Sequence, residues 1–265
     1  MSLHPSCPPP PHHTWIQTED GSWTVHSERF NESAHSTHGA VSETKLRFIE
    51  GCCLKKNFLD TGLTDFKIFE VGFGIGIGAL ESFALWHSLN SNVQVEFVSC
   101  EIDEKLILWC QKHLRTIFEN QYSPETLELI GNLVLHPSKK YYESHYRQIF
   151  KLKILIGDIW EHQDFLKIHY KQQFNAIFQD AYSPKKNPTL WTLDWFLLLK
   201  KMSSPQAILS TYSSSISVRK NLIQAGFGIY NGPGFGKKKS STMAYAHGCG
   251  DLKLHQSLTK QEIPL

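Results

Sequence analysis

The sequence predicts an α/β protein with a doubly wound, mostly parallel sheet that ends in an antiparallel edge. From residue 66 onward, five short apolar segments are each followed by a segment with helical periodicity. The last two apolar segments, FGIYNGPG and STMAYAHG, follow one another without a helix between them. Alternating strands and helices build parallel sheets, whereas two strands joined directly pair as a hairpin. We therefore expect seven strands, with the final hairpin at one edge.

The five predicted strand–helix units follow one another closely along the chain. They are FKIFEVG with GALESFALWHSL, VQVEFVSCEID with EKLILWCQKHLRTIF, KLKILIGD with IWEHQDFLKIHY, FNAIFQDAYSP with LWTLDWFLLLKKM, and QAILSTYS with SISVRKNLIQAG. Upstream, an Asp-Gly turn before alternating Trp23 and Val25 predicts a strand or hairpin, and the helical spacing of apolar residues in SETKLRFIEGCCLKK predicts a helix.

The same pattern predicts the organisation of the chain. We expect a disordered lead-in over residues 1–13, where four consecutive prolines favour extended backbone. An N-terminal extension of hairpin and helix follows over 14–62. The main domain covers 63–250, with an insertion near 119–150 that fits the strand–helix alternation poorly, and a C-terminal tail covers 251–265.

Composition excludes several classes of protein. The 265 residues are 41% hydrophobic and 20% charged with a net charge of +2, an ordinary globular balance. No apolar run approaches the ~20 residues that a membrane span needs, and the first residues lack the apolar core of a signal peptide. The six cysteines form no C-x-x-C pair, so we expect reduced thiols, no metal site and a cytoplasmic protein without membrane contact.

A glycine-rich turn follows the first predicted strand of the main domain. EVGFGIGIGAL places Gly72, Gly74 and Gly76 between a buried strand and a helix, and Gly78 in the first turn of that helix. Backbone N–H groups at such a turn can approach a ligand closely, and Gly78 lets the helix pack tightly. The stretch predicts a binding site for a nucleotide-like ligand.

Acidic residues at the ends of three successive strands narrow the choice of ligand. Glu70 precedes the glycines, where a carboxylate would repel a pyrophosphate but attract an amino acid's ammonium group. Glu101 is placed to bind ribose hydroxyls, and Asp158 to accept hydrogen bonds from a purine amino group. Ammonium, ribose and adenine describe S-adenosylmethionine (SAM) better than NAD, so we expect a class I SAM-dependent methyltransferase with a Rossmann-like sheet. Phe73 and Ile159, beside these residues, are expected to line the cofactor.

The end of the fourth strand is where the reactive centre of such a sheet is expected. Asp180 lies there, in FQDAYSPKKNPTLW. A primary alkylamine is mostly protonated at neutral pH, with a pKa of ~10, and must lose its proton before it can accept a methyl group. Asp180 could bind the ammonium and direct its proton to water. Tyr182 could wall the site or stack on a base.

Several segments together resemble the methyltransferase domain of the MnmC family. DGSWTVHSERFNESAHSTHGAVSETKLRFIEG, EVGFGIGIGAL, FQDAYSPKKNPTLWT, STYSSSISVRKNLIQAGF and GPGFGKKKSSTMA occur in the family's order over about residues 18–245. The resemblance implies methylation of the 5-aminomethyl group of a modified wobble uridine in tRNA, giving 5-methylaminomethyl-(2-thio)uridine. It also implies SAM binding by Glu70, the glycines, Glu101 and Asp158, an active-site acid at Asp180, and Glu43 near the site.

The resemblance is closest to the branch without the FAD-dependent oxidase, and no second glycine fingerprint occurs in this chain. A separate FAD-dependent oxidase or another aminomethyl-forming enzyme is therefore an expected partner.

Basic residues cluster after the fourth predicted strand. Those expected to contact the anticodon stem-loop of tRNA through its phosphates are Lys185, Lys186, Arg219, Lys237, Lys238 and Lys239. Three alternatives share the predicted fold. An aminopropyltransferase or a small-amine methyltransferase would gain nothing from these lysines, and a tRNA-binding protein with a lapsed cofactor site would have no reason to keep four acids.

Overall fold

The structure is a computed structural model that describes residue 5 and residues 7–259. Within these residues the strands are β1 (His13–Gln17), β2 (Trp23–Ser27), β3 (Glu32–Ser33), β4 (Asp65–Val71), β5 (Gln94–Glu101), β6 (Val134–Leu135), β7 (Tyr141–Tyr146), β8 (Phe150–Ile156), β9 (Phe174–Gln179), β10 (Ser203–Thr211), β11 (Gly228–Gly232) and β12 (Ser241–Tyr245). The α-helices are α1 (Ala40–Thr44), α2 (Leu54–Phe58), α3 (Ile77–Ser88), α4 (Glu104–Phe118), α5 (Pro124–Gly131), α6 (Gln163–His169), α7 (Leu193–Met202), α8 (Ile216–Gln224) and α9 (Leu252–Thr259). A π-helical segment (Lys45–Glu50) continues α1, and short 3₁₀ turns cover Ile159–His162 and Pro188–Trp191.

The main sheet has nine strands among the described residues, in the order β11-β12-β10-β9-β4-β5-β8-β7-β6. The five central strands, β10 to β8, are parallel, and the two strands at each edge are antiparallel. The chain builds β4, β5 and β8 in one direction and then returns to place β9 and β10 on the other side of β4. This reversal creates a switch point between the carboxyl ends of β4 and β9, where open α/β sheets bind ligands.

Apolar side chains cover both faces of the sheet, as parallel strands require. Along β4, Ile68 belongs to the core under α3 and α4, whereas Phe69 belongs to the core under α7 and α8. Along β5, Phe97 belongs to the same core as Ile68, and Val98 belongs to the same core as Phe69. The predicted fold class is confirmed: a class I methyltransferase sheet with an antiparallel edge made by β11 and β12.

The predicted strand count was too low, because residues 119–150 extend the sheet. This insertion forms α5 and the hairpin β6–β7, and β7 pairs antiparallel with β8 over Tyr141–Tyr146. The seven expected strands are present, and the hairpin adds two at the opposite edge.

A separate three-stranded sheet, β1–β2–β3, lies before the main domain. It is joined to α1 through Asp20 and Ser22: Asp20 Oδ2 accepts a hydrogen bond from the backbone N–H of Ser42, and Ser22 Oγ accepts one from that of Ala40. The hairpin and helix predicted for this region correspond to β1–β2 and to the helical stretch over residues 40–58.

Both ends of the described chain are packed against the fold. The disorder predicted for residues 1–13 is wrong for residues 7–13, because Cys7 is buried and its carbonyl accepts a hydrogen bond from Trp15 Nε1; residues 1–4 and 6 lie outside the described residues. In the predicted tail, α9 covers the outer edge at β11: the carbonyl of Ile229 accepts from the N–H of Asp251, and His255 Nε2 accepts from the N–H of Ile229. No helix in the described part of the chain is long and apolar enough to span a membrane.

Candidate active site

A cleft of about 420 Å³ opens at the switch point of the main sheet. Its floor comes from the carboxyl ends of β4, β5, β8 and β9, and its roof from the N-terminal sheet. The predicted residues that line it are Glu70, Gly72, Phe73, Gly74, Glu101, Asp158, Ile159, Asp180 and Tyr182. Residues from four strand ends, predicted separately, thus surround one cleft.

The glycine turn needs backbone conformations that other residues rarely adopt. Gly72, Gly74 and Gly76 have φ angles of 96°, 56° and 78°. A Cβ at Gly72 would lie 3.2 Å from the carbonyl oxygen of Asp180, so β4 and β9 approach each other closely here. A Cβ added at Gly74 or Gly157 would meet no atom of the described residues within 4 Å, because both positions face the cleft. Gly76 is not among the residues that line the cleft; it precedes α3 and packs on Phe73.

Glu70 lies buried beneath the first turn of α3. Its Oε2 accepts a 2.7 Å hydrogen bond from Ser99 Oγ, and a Cβ at Gly78 would collide with its Oε1. Burial raises the pKa of Glu70 to about 8, against the lowering effect of the Ser99 hydrogen bond. The unliganded protein therefore holds a proton on Glu70 near neutral pH.

Glu101 connects β5 to the glycine turn. Its Oε2 accepts a 3.0 Å hydrogen bond from the N–H of Gly74, and its Oε1 accepts one of 3.0 Å from that of Asp103. Burial raises its pKa to about 7, although these N–H groups favour the ionised form. On the other side of the cleft, Asp158 is exposed, and its Oδ1 accepts from the N–H of Trp160, which fixes the carboxylate at the rim.

These residues fit SAM on the chemistry of their donor and acceptor groups. The two open glycine positions, after β4 and after β8, leave the cleft free for a ligand, and the carboxylates of Glu101 and Asp158 offer acceptors for hydroxyl and amino groups. Glu70 supplies an acid that a cationic methionine group would ionise.

Asp180 directly follows β9 and lines the same cleft. Burial, and after it the negative charges of Glu43 and Glu70, raise the pKa of Asp180 well above its usual range. The positive charges of Lys238 and Arg47 oppose this increase. Glu43 is not among the lining residues: its Oε2 accepts a hydrogen bond from the N–H of Ser36, and it acts on Asp180 from behind.

Tyr182 is stacked on Phe30, with ring centroids 4.3 Å apart and an angle of 20° between the planes. The guanidinium of Arg29 lies over the Phe30 ring, 5.4 Å from its centroid. Glu32 secures this arrangement, since its Oε2 accepts a hydrogen bond from the N–H of Ser183. The sequence did not predict that Phe30 and Arg29 belong to the site. No regular spacing of residues along the chain indicates that the N-terminal sheet lies beside the loop after β9.

The predicted lysines divide into two loops. Lys185 and Lys186 are exposed in the loop after β9, and Lys237 and Lys239 in the loop between β11 and β12. Lys238, in the same loop, lies over the ring of Tyr212, with its Nζ 4.1 Å from the ring centroid.

The prediction that Arg219 contacts tRNA is wrong. Its side chain is buried on α8, where Nε donates to Thr242 Oγ1 and Nη2 donates to Asn231 Oδ1 and to the carbonyl of Ser241. These bonds attach α8 to the hairpin β11–β12. A buried arginine whose donors bind the fold has no surface to offer to a phosphate.

Comparisons with known proteins agree with the fold described above. Residues 120–247 match a family described as S-adenosyl-L-methionine-dependent methyltransferase. The bifunctional protein MnmC of Pseudomonas aeruginosa, named for tRNA 5-methylaminomethyl-2-thiouridine biosynthesis, is 30% identical over 224 residues, which cover 80% of this chain and 32% of that protein. The uncharacterized protein MJ0670 of Methanocaldococcus jannaschii is 27% identical over 235 residues, 88% of this chain and 59% of that protein. The crystal structure of MNMC2 from Aquifex aeolicus superposes with a TM-score of 0.72 at 25% identity, covering 96% of this chain and 76% of the other.

The fold is that of class I SAM-dependent methyltransferases, and residues 120–247 match a family of such enzymes. Within that class its homologues include the MnmC proteins, so the resemblance seen in the sequence motifs is confirmed. The chain spans about a third of the length of that MnmC protein and about three-fifths of MJ0670.

Proposed function

We propose that this methyltransferase converts the 5-aminomethyl group of a modified wobble uridine in tRNA to 5-methylaminomethyl-(2-thio)uridine, in the cytoplasm. The observation that carries the proposal is that Asp180 lines one cleft together with the acids proposed for SAM and with the stacked Tyr182–Phe30 pair. The name of the MnmC relative, which refers to this modified nucleoside, supports the same substrate.

Each acid has one task in this proposal. Glu101 and Asp158 would hold the ribose and the adenine of SAM, and Glu70 the ammonium of its methionine part. When bound, SAM supplies an electrophilic methyl group. Asp180 binds the substrate's ammonium through a charge-assisted hydrogen bond and accepts its proton, which frees the nitrogen lone pair to form the new N–C bond. Because the pKa of Asp180 is raised, it is a stronger base than an ordinary carboxylate.

The stacked pair of Tyr182 and Phe30 offers a binding surface for a wobble uridine that has left the stacked bases of the anticodon loop. A wobble uridine must be splayed out of the anticodon loop before its substituent can reach a buried acid. Tyr182 and Phe30 form a wall at the cleft, and Arg29 above Phe30 adds a cation for the neighbouring phosphate. The base would stack against this wall with its aminomethyl group toward Asp180.

Cofactor binding should become tighter as the pH rises. Glu70 and Glu101 have pKa values of about 8 and about 7 in the unliganded protein, and SAM favours their ionised forms. Affinity therefore increases as the pH rises from 6 through the range of these two pKa values. Isothermal titration calorimetry in buffers of different ionisation enthalpy should detect proton release on binding at pH 7, and Glu101→Gln should reduce that release. Binding that is independent of pH would contradict these roles.

The exposed lysines should contribute to tRNA affinity. Replacing Lys185, Lys186, Lys237 and Lys239 by alanine should weaken tRNA binding and reduce the slope of log affinity against log salt by roughly 0.7–0.9 for each phosphate that the variant no longer neutralises. Lys55→Ala with Lys56→Ala is the control, because both lysines are exposed but lie on α2, outside the two loops that carry the tested lysines. Equal weakening in the two sets would remove the loops from the interface. The measurement is filter binding at several salt concentrations.

The direct test is methyl transfer from labelled SAM. The protein is incubated with tRNA that carries 5-aminomethyluridine, with unmodified tRNA, and with small amines. Label in the modified tRNA alone, recovered as the methylaminomethyl nucleoside, supports the proposal. Label in small amines, or aminopropyl transfer from decarboxylated SAM, would replace it with one of the alternatives.

A further inference from the structure

Arg47 is a fully buried cation behind the active site that the function proposed above does not use. It lies in the π-helical segment, and its side chain has 0% exposure. Its Nη1 donates to the carbonyl of Pro233, at the start of the loop that carries Lys238. Its Nε and Nη2 have no hydrogen-bond partner among the described residues. A buried guanidinium with unpaired N–H groups is costly, so its retention calls for a compensating interaction.

The compensation is electrostatic and comes from the acids of the site. Nε of Arg47 lies 3.8 Å from Glu43 Oε1, and the charges of Glu43 and then Asp180 oppose the lowering of the Arg47 pKa by burial. The charged groups around Asp180 are Glu43, Glu70, Arg47 and Lys238, with Glu32 acting on Lys238. Of the two cations, Lys238 has the larger effect on Asp180, but it lies on an exposed loop, whereas Arg47 is a fixed charge in the protein interior.

Arg47 also connects the segments that surround Asp180. Its carbonyl accepts a hydrogen bond from Ser210 Oγ of β10, and its side chain holds Pro233. From the same loop Lys238 lies over the ring of Tyr212, whose hydroxyl donates to the carbonyl of Ala181, the residue after Asp180. Arg47 thus contacts β10 and the Pro233–Lys239 loop, and that loop reaches the residue after Asp180 through Lys238 and Tyr212.

We infer that Arg47 is a positioning residue for methyl transfer: its guanidinium fixes the Lys238 loop and provides the permanent positive charge that keeps the carboxylates of Glu43 and Asp180 together at the amine-binding end of the cleft. The catalytic part of this role rests on the proposed function; the electrostatic part does not. Without Arg47, the neighbouring charges of Glu43 and Glu70 would raise the pKa of Asp180 further.

The electrostatic part is tested without turnover. Protein labelled with ¹³C at aspartate side-chain carboxyls is titrated by NMR, and Asp180→Asn assigns the signal of Asp180. Arg47→Met should raise the pKa of Asp180 by roughly one to three units, the effect of losing an adjacent opposite charge. Arg47→Lys keeps the charge and should leave that pKa close to the wild-type value.

Arg219→Met is the matched control, because it also removes a buried arginine but one whose donors are bound to the fold. It should lower the melting temperature without changing the titration of Asp180. An unchanged pKa in Arg47→Met, or the same rise in Arg219→Met, would overturn the inference. If Arg47→Met does not fold, Arg47→Lys decides: a rise of about one unit in that variant contradicts the role of the charge.

The catalytic part is read from kcat with modified tRNA as a function of pH. Arg47→Met should lower kcat at pH 7 by roughly 10- to 100-fold through misplacement of Asp180. It should also move the acidic limb of the profile to higher pH, with the KM for SAM unchanged. A rise in KM for SAM at normal kcat would instead place Arg47 with the cofactor. If wild-type protein methylates no tRNA, the proposed function fails, while the titration still decides the role of Arg47.

Discussion

Replacing Asp180 by asparagine is expected to lower kcat for methyl transfer by roughly 100- to 10,000-fold, the range typical of a lost general base. Asparagine has nearly the same shape but cannot accept the ammonium proton. SAM affinity should change little, since the acids proposed for SAM are Glu70, Glu101 and Asp158. The measurements are single-turnover transfer to 5-aminomethyluridine tRNA and calorimetric titration with SAM.

Asp194→Asn is the control for this substitution, because Asp194 is exposed in the first turn of α7. It should leave both quantities unchanged. Loss of SAM binding in Asp180→Asn would assign Asp180 to the cofactor, and normal turnover would exclude it as the base. The pH profile adds a further check, since the remaining activity of Asp180→Asn should lack the acidic limb that Asp180 produces.

Replacing Gly78 by alanine is expected to disrupt the cofactor site and destabilise the fold. The added methyl group would occupy the position of Glu70 Oε1. Glu70 is buried and bonded to Ser99, so it can move only by breaking that bond or by displacing α3. Overpacking of this kind costs roughly 1–3 kcal/mol of unfolding free energy. We expect a lower denaturant midpoint and a loss of SAM affinity of more than about tenfold, which corresponds to ~1.4 kcal/mol.

Gly131→Ala is the matched control. Gly131 ends α5, and a Cβ there would meet no atom of the described residues within 4 Å. This substitution should leave stability within about 1 kcal/mol of wild type and SAM binding unchanged. Wild-type SAM affinity in Gly78→Ala would show that Glu70 can move without cost, and would remove it from the cofactor site.

The sequence predicted the strand-end acids well because parallel strands bring their carboxyl ends to one edge. Glu70 and Glu101 lie in the last two residues of β4 and β5, and Asp158 and Asp180 lie within two residues after β8 and β9, so strand assignment alone was enough to bring them together. The hairpin β6–β7 was not predicted. Its first strand has only two residues, and α5 interrupts the pattern before it.

Residues positioned by tertiary packing could not be predicted in this way. Phe30 reaches Tyr182 only because a separate sheet is held over the loop after β9. Arg47 faces the site because the π-helical segment and the Pro233 loop meet around it. Arg219 was wrongly predicted to be an exposed residue that contacts tRNA. It lies in a helix that looks polar, and nothing in the sequence indicates that its side chain is buried.

The edges of the nine-stranded sheet affect how the enzyme behaves at high concentration. At one edge, the N–H and carbonyl of Ile229 are already used by residues 251–255, and at the other, β6 contributes only two residues. An unpaired edge strand is a template for pairing with another molecule, and short or covered edges prevent it. The insertion and α9 lie away from the carboxyl ends of β4 and β9. We therefore expect both edges to resist pairing with a second molecule, while the cleft at the carboxyl ends of the central strands stays open.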